Sequence, residues 1–153
     1  MYRILFVCHG NICRSPMAEY IMRDMLKKRG ITGAAAASAA TSTEEIGNGV
    51  HRGTAAVLKR LGIDYSAHRA RQITRADFEA YDLLIGMDSA NIRNMQRIAG
   101  AFSHKIHRLL DFTDSPRDIA DPWYTGDFGQ TLADVQEGCG ALIEWLYAQG
   151  AIS

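Results

Sequence analysis

The 153-residue sequence predicts a single three-layer α/β/α domain over residues 1–153, with a four-stranded parallel sheet and helices on both faces. Three observations lead there. Short apolar runs alternate along the chain with segments of helical period, the pattern that builds a parallel sheet. The first run, residues 2–7, carries Arg3 as its only charge, as expected of a strand buried on both faces. The length also suits one domain with a sizeable hydrophobic core.

Residues 2–7 (YRILFV) read as the first strand. Ser15 and Pro16 then predict a helix start, with Ser15 as N-cap and Pro16 at the first helical position. The apolar stripe of that helix runs Met17, Ala18, Ile21, Met22, Met25, Leu26. Lys27, Lys28 and Arg29 suit the negative end of the helix dipole, and Gly30 ends the helix. Residues 34–40 are nearly all alanine and are assigned to the second strand against alanine's helical preference. Gly47, Asn48 and Gly49 mark a loop before a helix over residues 51–61. Residues 81–87 read as the third strand, 89–99 as a helix and 105–110 as the fourth strand. A polar loop with Pro116 and Pro122 covers 111–129, and Leu132, Val135, Cys139, Leu142 and Leu146 define a last amphipathic helix.

Composition narrows the partners. Lys+Arg and Asp+Glu both total 17, so there is no basic excess for a nucleic acid or an anionic membrane, and neither partner is predicted. The early apolar run is too short for the core of a signal peptide. Three cysteines, an odd number, argue against a disulfide framework and for a reducing compartment, so the cytoplasm is expected. The five histidines show no ligand spacing with cysteines or carboxylates. No metal or other cofactor is predicted.

Chemistry concentrates between the first strand and the first helix, in Cys8-His9-Gly10-Asn11-Ile12-Cys13-Arg14-Ser15. In open α/β sheets ligands bind outside the carboxyl ends of strands, where this loop lies. It also feeds a helix N-terminus, whose free N–H groups and dipole favour an anion. Gly10 and Asn11 are the residue types most tolerant of positive φ, which lets successive amides turn inward as an anion-binding nest. Arg14 closes the ring with a planar fork matched to phosphate oxygens. Cys8 faces that electropositive cup, where a thiolate is favoured and is placed for in-line attack on phosphorus. A hydrogen bond from Ser15 would favour the charged sulfur further.

These residues resemble the nucleophile loop of the low-molecular-weight protein tyrosine phosphatases. The resemblance continues through Ser38-Ala39-Ala40, through His68-Arg69-Ala70-Arg71-Gln72, through Met87-Asp88 followed by Asn91, and through Asp121-Pro122 followed by two aromatics. It implies hydrolysis of phosphotyrosine in a protein substrate by way of a cysteinyl-phosphate. Cys8 would be the nucleophile, Arg14 the phosphate clamp and Asp121 the general acid and base. From the residues alone Asp111, Asp114, Asp118 and Asp127 compete with Asp121 for the acid's role; the resemblance selects Asp121. Proximity to a phosphate dianion would favour its protonated form.

The resemblance further implies that Asn11, Ser15, Ser38 and His68 form a network behind the phosphate loop. It places Trp123 and Tyr124 beside the substrate ring and Glu44 on the rim, where some members carry Trp. His9 is expected to face the rim. A loop wrapped around a phosphate brings Cys8 and Cys13 within reach of a reversible disulfide, with Cys13 as redox partner. Cys139, on the apolar stripe of the last helix, reads as core. Trp123 and Tyr124 are also the candidates for weak self-association.

Three other readings compete. Thioredoxin-coupled arsenate reductases share the fold but need cysteines near the third strand, and this chain has none between Cys13 and Cys139. Protein arginine phosphatases carry a Thr where this chain has Ile12, and an apolar wall there suits a phenyl ring. A phosphate- or phosphopeptide-binding module without turnover is the reading of a different class.

Overall fold

A computed structural model describes all of residues 1–153. Its sheet is built from β1 (Tyr2–Cys8), β2 (Ala34–Ala40), β3 (Leu83–Gly86) and β4 (Ile106–Arg108). The order is β2-β1-β3-β4 and every pairing is parallel. The chain leaves β1 toward β2 on one side and leaves β3 toward β4 on the other, so the crevice between β1 and β3, at their carboxyl ends, is the topological switch point.

Six helices cover the sheet: α1 (Arg14–Lys28), α2 (Arg52–Arg60), α3 (Arg75–Ala80), α4 (Ser89–Ala99), α5 (Pro122–Thr125) and α6 (Phe128–Ala148). Side chains of β1 alternate between two cores. Ile4, Phe6 and Cys8 pack with α1, α2 and α6 in the larger one, whereas Leu5 and Val7 pack with α3 and α4 in the smaller. All of residues 4–7 have no exposed surface, which accounts for the continuous apolar run.

Alanine's helical preference loses at β2 because the strand pairs along its whole length with β1, from Tyr2↔Ala34 to Cys8↔Ala40. Tertiary pairing outweighs an intrinsic preference worth only tenths of a kcal/mol per residue, about 0.7 at most. Gly86 ends β3 in tight contact with α4: an added Cβ would meet Asn91 Cβ at 2.9 Å. Close packing there fixes where α4 begins.

Several boundaries move. Helix α1 starts one residue before Ser15, with Cys13 rather than Ser15 at the cap and no side-chain capping bond. Ser15 has its hydroxyl engaged elsewhere, and Pro16 sits in the first turn without a lost bond. Strand β3 begins at Leu83 and β4 spans only Ile106–Arg108, flanked by two 3-10 turns. The predicted loop over 111–129 contains the short α5, and α6 begins inside it at Phe128, capped by Asp127 through the Gln130 N–H. Helix α3 was not predicted at all. Its signal is a capping box in which Thr74 and Asp77 bond each other's backbone and side chain.

Candidate active site

The loop from Cys8 to Arg14 leaves β1 at the switch point and winds into α1. Asn11 has φ +58°, and no other residue apart from glycine has a positive φ. Gly10 does not adopt positive φ, contrary to the sequence reading; it is small because Glu45 lies against it, with Glu45 Cγ 3.3 Å from the place of a Cβ. Asn11 is fully buried. Its Nδ2 donates to Ser15 Oγ (2.8 Å) and to Ser38 Oγ (2.9 Å), and its Oδ1 accepts from the Arg71 N–H (3.2 Å). Its carbonyl accepts from His68 Nε2 at 2.8 Å, which assigns the Nε2–H form to that ring.

Directionality follows from these bonds. Ser15 Oγ accepts from Asn11, so its proton is free for the Cys8 sulfur, 3.0 Å away. The Ser15 backbone N–H donates to the same sulfur at 3.4 Å. Ser38 likewise accepts from Asn11 and donates to Glu19 Oε1 at 2.5 Å. Glu19, 5% exposed, is held by Arg23 at 2.6 Å and anchors the far end of the network. Sequence reasoning named the four inner members and missed Glu19, which lies on the buried face of α1 with Arg23 four residues on.

Arg14 is 2% exposed and faces the cup from the β3 side. Its Nη1 donates to Asp88 Oδ2 at 2.7 Å and to the Ile119 carbonyl at 2.8 Å; its Nη2 lies 3.4 Å from Asp121 Oδ2. Burial works against the guanidinium charge, but Cys8, Asp88 and Asp121 outweigh it and hold the group above its ordinary value. Asp88 is the N-cap of α4, where its Oδ1 accepts from the Asn91 N–H (2.8 Å). One carboxylate thus starts a helix and fixes the guanidinium. In the sequence Met87-Asp88 followed by Asn91 reads only as a family-like segment, and nothing in it connects Asp88 with Arg14, 74 positions earlier.

The cup has a volume of about 120 Å³, and its floor is made by Cys8, Ile12, Cys13 and Arg14. His9, Glu44, Glu45, Trp123 and Tyr124 form the rim, with Asp121 above Arg14. Of the five aspartates weighed from sequence, Asp121 alone lines the cup. Asp111 and Asp118 pair with Arg108, Asp127 caps α6, and Asp114 lies away on the surface. Asp121 itself caps α5, its Oδ1 accepting from the Trp123 N–H at 3.0 Å, so the carboxylate is oriented by the turn that presents the two aromatics.

Trp123 is 57% exposed and Tyr124 84%. The Trp123 ring meets His51 edge-on at 5.5 Å, and His51 in turn stacks on Phe128 at 5.1 Å. Neither partner was anticipated; only spatial closure of the α2 and α6 starts brings them together. His9 reaches outward to Glu44 at 3.0 Å, both largely exposed. Ser38 and His68 lie behind the loop, and Cys13 is buried with a free thiol. Burial pushes the Cys13 thiol up to about 12, with the charge at Cys8 adding to it. Cys139 is core.

Comparison with known proteins places this geometry in a lineage. The sequence model of the family described as "Low molecular weight phosphotyrosine protein phosphatase" matches residues 3–151. The low molecular weight protein-tyrosine-phosphatase YfkJ of Bacillus subtilis is 42% identical over 148 residues, 94% of each chain. PtpA of Staphylococcus epidermidis is 35% identical over 147 residues, 95% of this chain and 94% of its own. The crystal structure of YfkJ superposes with a TM-score of 0.94 at 40% identity, covering 97% of this chain and 96% of that one. The Drosophila arginine phosphatase superposes at 0.85 with 27% identity, covering 92% and 95%. A buried cysteine and arginine sharing one loop, a matching sequence over nearly the whole chain and a matching fold lead to one conclusion: the chain belongs to the low molecular weight phosphotyrosine protein phosphatase family.

Proposed function

We propose that this chain is a protein tyrosine phosphatase in which Cys8, Arg14 and Asp121 carry the reaction. The carrying observation is that Cys8 and Arg14 line one small cup while Asp121 stands 3.4 Å from the same guanidinium. The phosphoryl group seats among the loop amides and the Arg14 fork. The Cys8 thiolate, accepting from Ser15, attacks phosphorus; the P–O bond to the phenol breaks as Asp121 gives its proton to the leaving oxygen. Water then loses a proton to the Asp121 carboxylate and attacks the cysteinyl-phosphate, releasing phosphate and the thiolate.

Ile12 lines the cup with an apolar side chain, and Trp123 and Tyr124 offer flat faces at its mouth, which suits an aryl ester better than a phosphoguanidinium. The natural substrate is then a phosphotyrosine-bearing protein. The same exposed aromatic pair is the proposed surface for weak self-association, which bound substrate would oppose. No helix is long and apolar enough to cross a membrane. The cytoplasm is the proposed location, on the three unpaired cysteines.

The test is hydrolysis of p-nitrophenyl phosphate between about pH 5 and 8 by the parent, Cys8→Ser and Asp121→Ala. Cys8→Ser should abolish turnover and Asp121→Ala should lower it by about 10²- to 10⁴-fold. An inactive reduced parent that still binds phosphate would favour a binding module. Faster hydrolysis of phosphoarginine than of phosphotyrosine would make it an arginine phosphatase.

A further inference from the structure

A general acid works only if its carboxyl is held over the leaving oxygen; a displacement of about 1 Å can cost roughly 10²-fold. Asp121 sits at the end of residues 113–121, which form no helix or strand. That stretch also supplies the Ile119 carbonyl to Arg14. The Ile119 N–H donates to the Met87 carbonyl at 2.9 Å, a single backbone tie to the end of β3.

Next to it, Asp118 offers one carboxylate oxygen to three donors. Arg108 Nη1 reaches it at 2.8 Å, and the Ser89 N–H and Oγ each at 2.9 Å. Arg108 ends β4, and its Nε and Nη2 hold Asp111 at 2.9 and 2.8 Å. Ser89 opens α4 directly after Asp88. The helix start that holds Arg14 through Asp88 therefore also holds, through Asp118, the segment delivering Asp121. On the other side Arg117 bonds Asp134 and Glu137 of α6, at 3.0 and 2.9 Å. With the Asp118 junction lost, the segment would stay attached but could shift.

Stability alone does not account for such a junction. The Arg108 and Asp118 side chains are 22% and 47% exposed, and ion pairs so open to water contribute little to folding. Their value lies in geometry. We propose that Asp118 and Arg108 are positioning residues for the general acid: the Arg108–Asp118–Ser89 junction sets where the Asp121 carboxyl meets the leaving-group oxygen. The proposal rests on the reading of Asp121 as the acid, and its test separates the two.

The readout is kcat/KM, which reports the steps through phosphoryl transfer to sulfur, for p-nitrophenyl phosphate and for phenyl phosphate. Nitrophenolate departs with little help, whereas phenolate needs the proton. Asp121→Asn should lose far more on phenyl phosphate. Asp118→Asn and Arg108→Gln should show the same selectivity, losing roughly ten-fold more on phenyl phosphate than on the nitro ester. The double variant should be no worse than the worse single one, because the two act through one contact. Urea midpoints for each variant exclude a folding defect, and Arg108→Lys, which keeps the charge with one donor centre, replaces Arg108→Gln if that variant does not fold. Equal losses on both esters for the Asp118 and Arg108 variants, beside a selective loss for Asp121→Asn, would overturn the positioning role and leave the acid standing. No selectivity in Asp121→Asn would overturn the acid assignment and the positioning role with it.

Discussion

Asn11 is where the phosphate loop is most exposed to a single substitution, and the structure gives the size of the effect. Its side chain makes three hydrogen bonds, to Ser15, Ser38 and the Arg71 N–H. A typical net contribution of about 1 kcal/mol each makes Asn11→Gly less stable by about 3 kcal/mol. Asn11→Ala loses the same bonds and adds a Cβ at φ +58°, a conformation that costs about 1–2 kcal/mol for a residue other than Gly or Asn. Glycine's extra freedom in the unfolded chain returns about 0.5–1 kcal/mol of that difference. Alanine should therefore be the less stable variant by up to about 1.5 kcal/mol. Urea unfolding measures both, with the slope checked for two-state behaviour. Turnover of p-nitrophenyl phosphate should fall by roughly 10²-fold in each, because Ser15 is no longer held to the sulfur. An Asn11→Gly variant within 1 kcal/mol of the parent and fully active would refute the network's role. An alanine variant more stable than the glycine one would refute the strain.

The Asp77 carboxyl gives a pH signature. Burial alone would raise it, yet hydrogen bonds from Arg71 and the Thr74 N–H, with the Arg71 charge, hold it below the ordinary 3.8. A group depressed in the folded state contributes stability above its unfolded value and loses it as pH falls through the folded one. Thermal melts should show Asp77→Asn well below the parent at neutral pH, with the gap closing below about pH 4; a constant gap would contradict the assignment. For the second loop cysteine, peroxide should convert Cys8 to a sulfenic acid, which the Cys13 thiol condenses with to give a disulfide and water. Dithiothreitol should restore the oxidised parent and restore Cys13→Ser less completely; equal inactivation and equal recovery would refute a protective disulfide.

The nucleophile half of the site was legible because it is local. Strand, loop and helix follow one another between Tyr2 and Lys28, and each carries its own signal. Ser15 shows where local signals mislead: Ser-Pro reads as a cap, but its hydroxyl is claimed by Asn11 and Cys8, and the helix starts at Arg14 instead. The clamp half was illegible in detail because its contacts are remote. Asp88, Ile119 and Asp121 converge on Arg14 from 74, 105 and 107 residues away, and no periodicity encodes such a meeting. His51 behind Trp123 was hidden for the same reason. Alanine in β2 read weakly because the strand's identity resides in its partner β1 rather than in its own side chains.

The two halves also differ in kind, and the difference follows from charge. On the β2 side, the Cys8 sulfur is bonded by the neutral Ser15, which Asn11 holds, and the buried carboxylate of Glu19 stands behind Ser38. A carboxylate any closer would oppose both the thiolate and an incoming phosphate dianion. On the β3 side the need is opposite. A guanidinium only 2% exposed requires counter-charge, since an unpaired buried cation is strongly disfavoured. Asp88 supplies it at 2.7 Å and is pinned as a helix cap; Asp121 lies farther off, at 3.4 Å. One guanidinium thus carries two carboxylates of unequal hold, the near one fixed by the start of α4 and the far one set only by the short turn of α5.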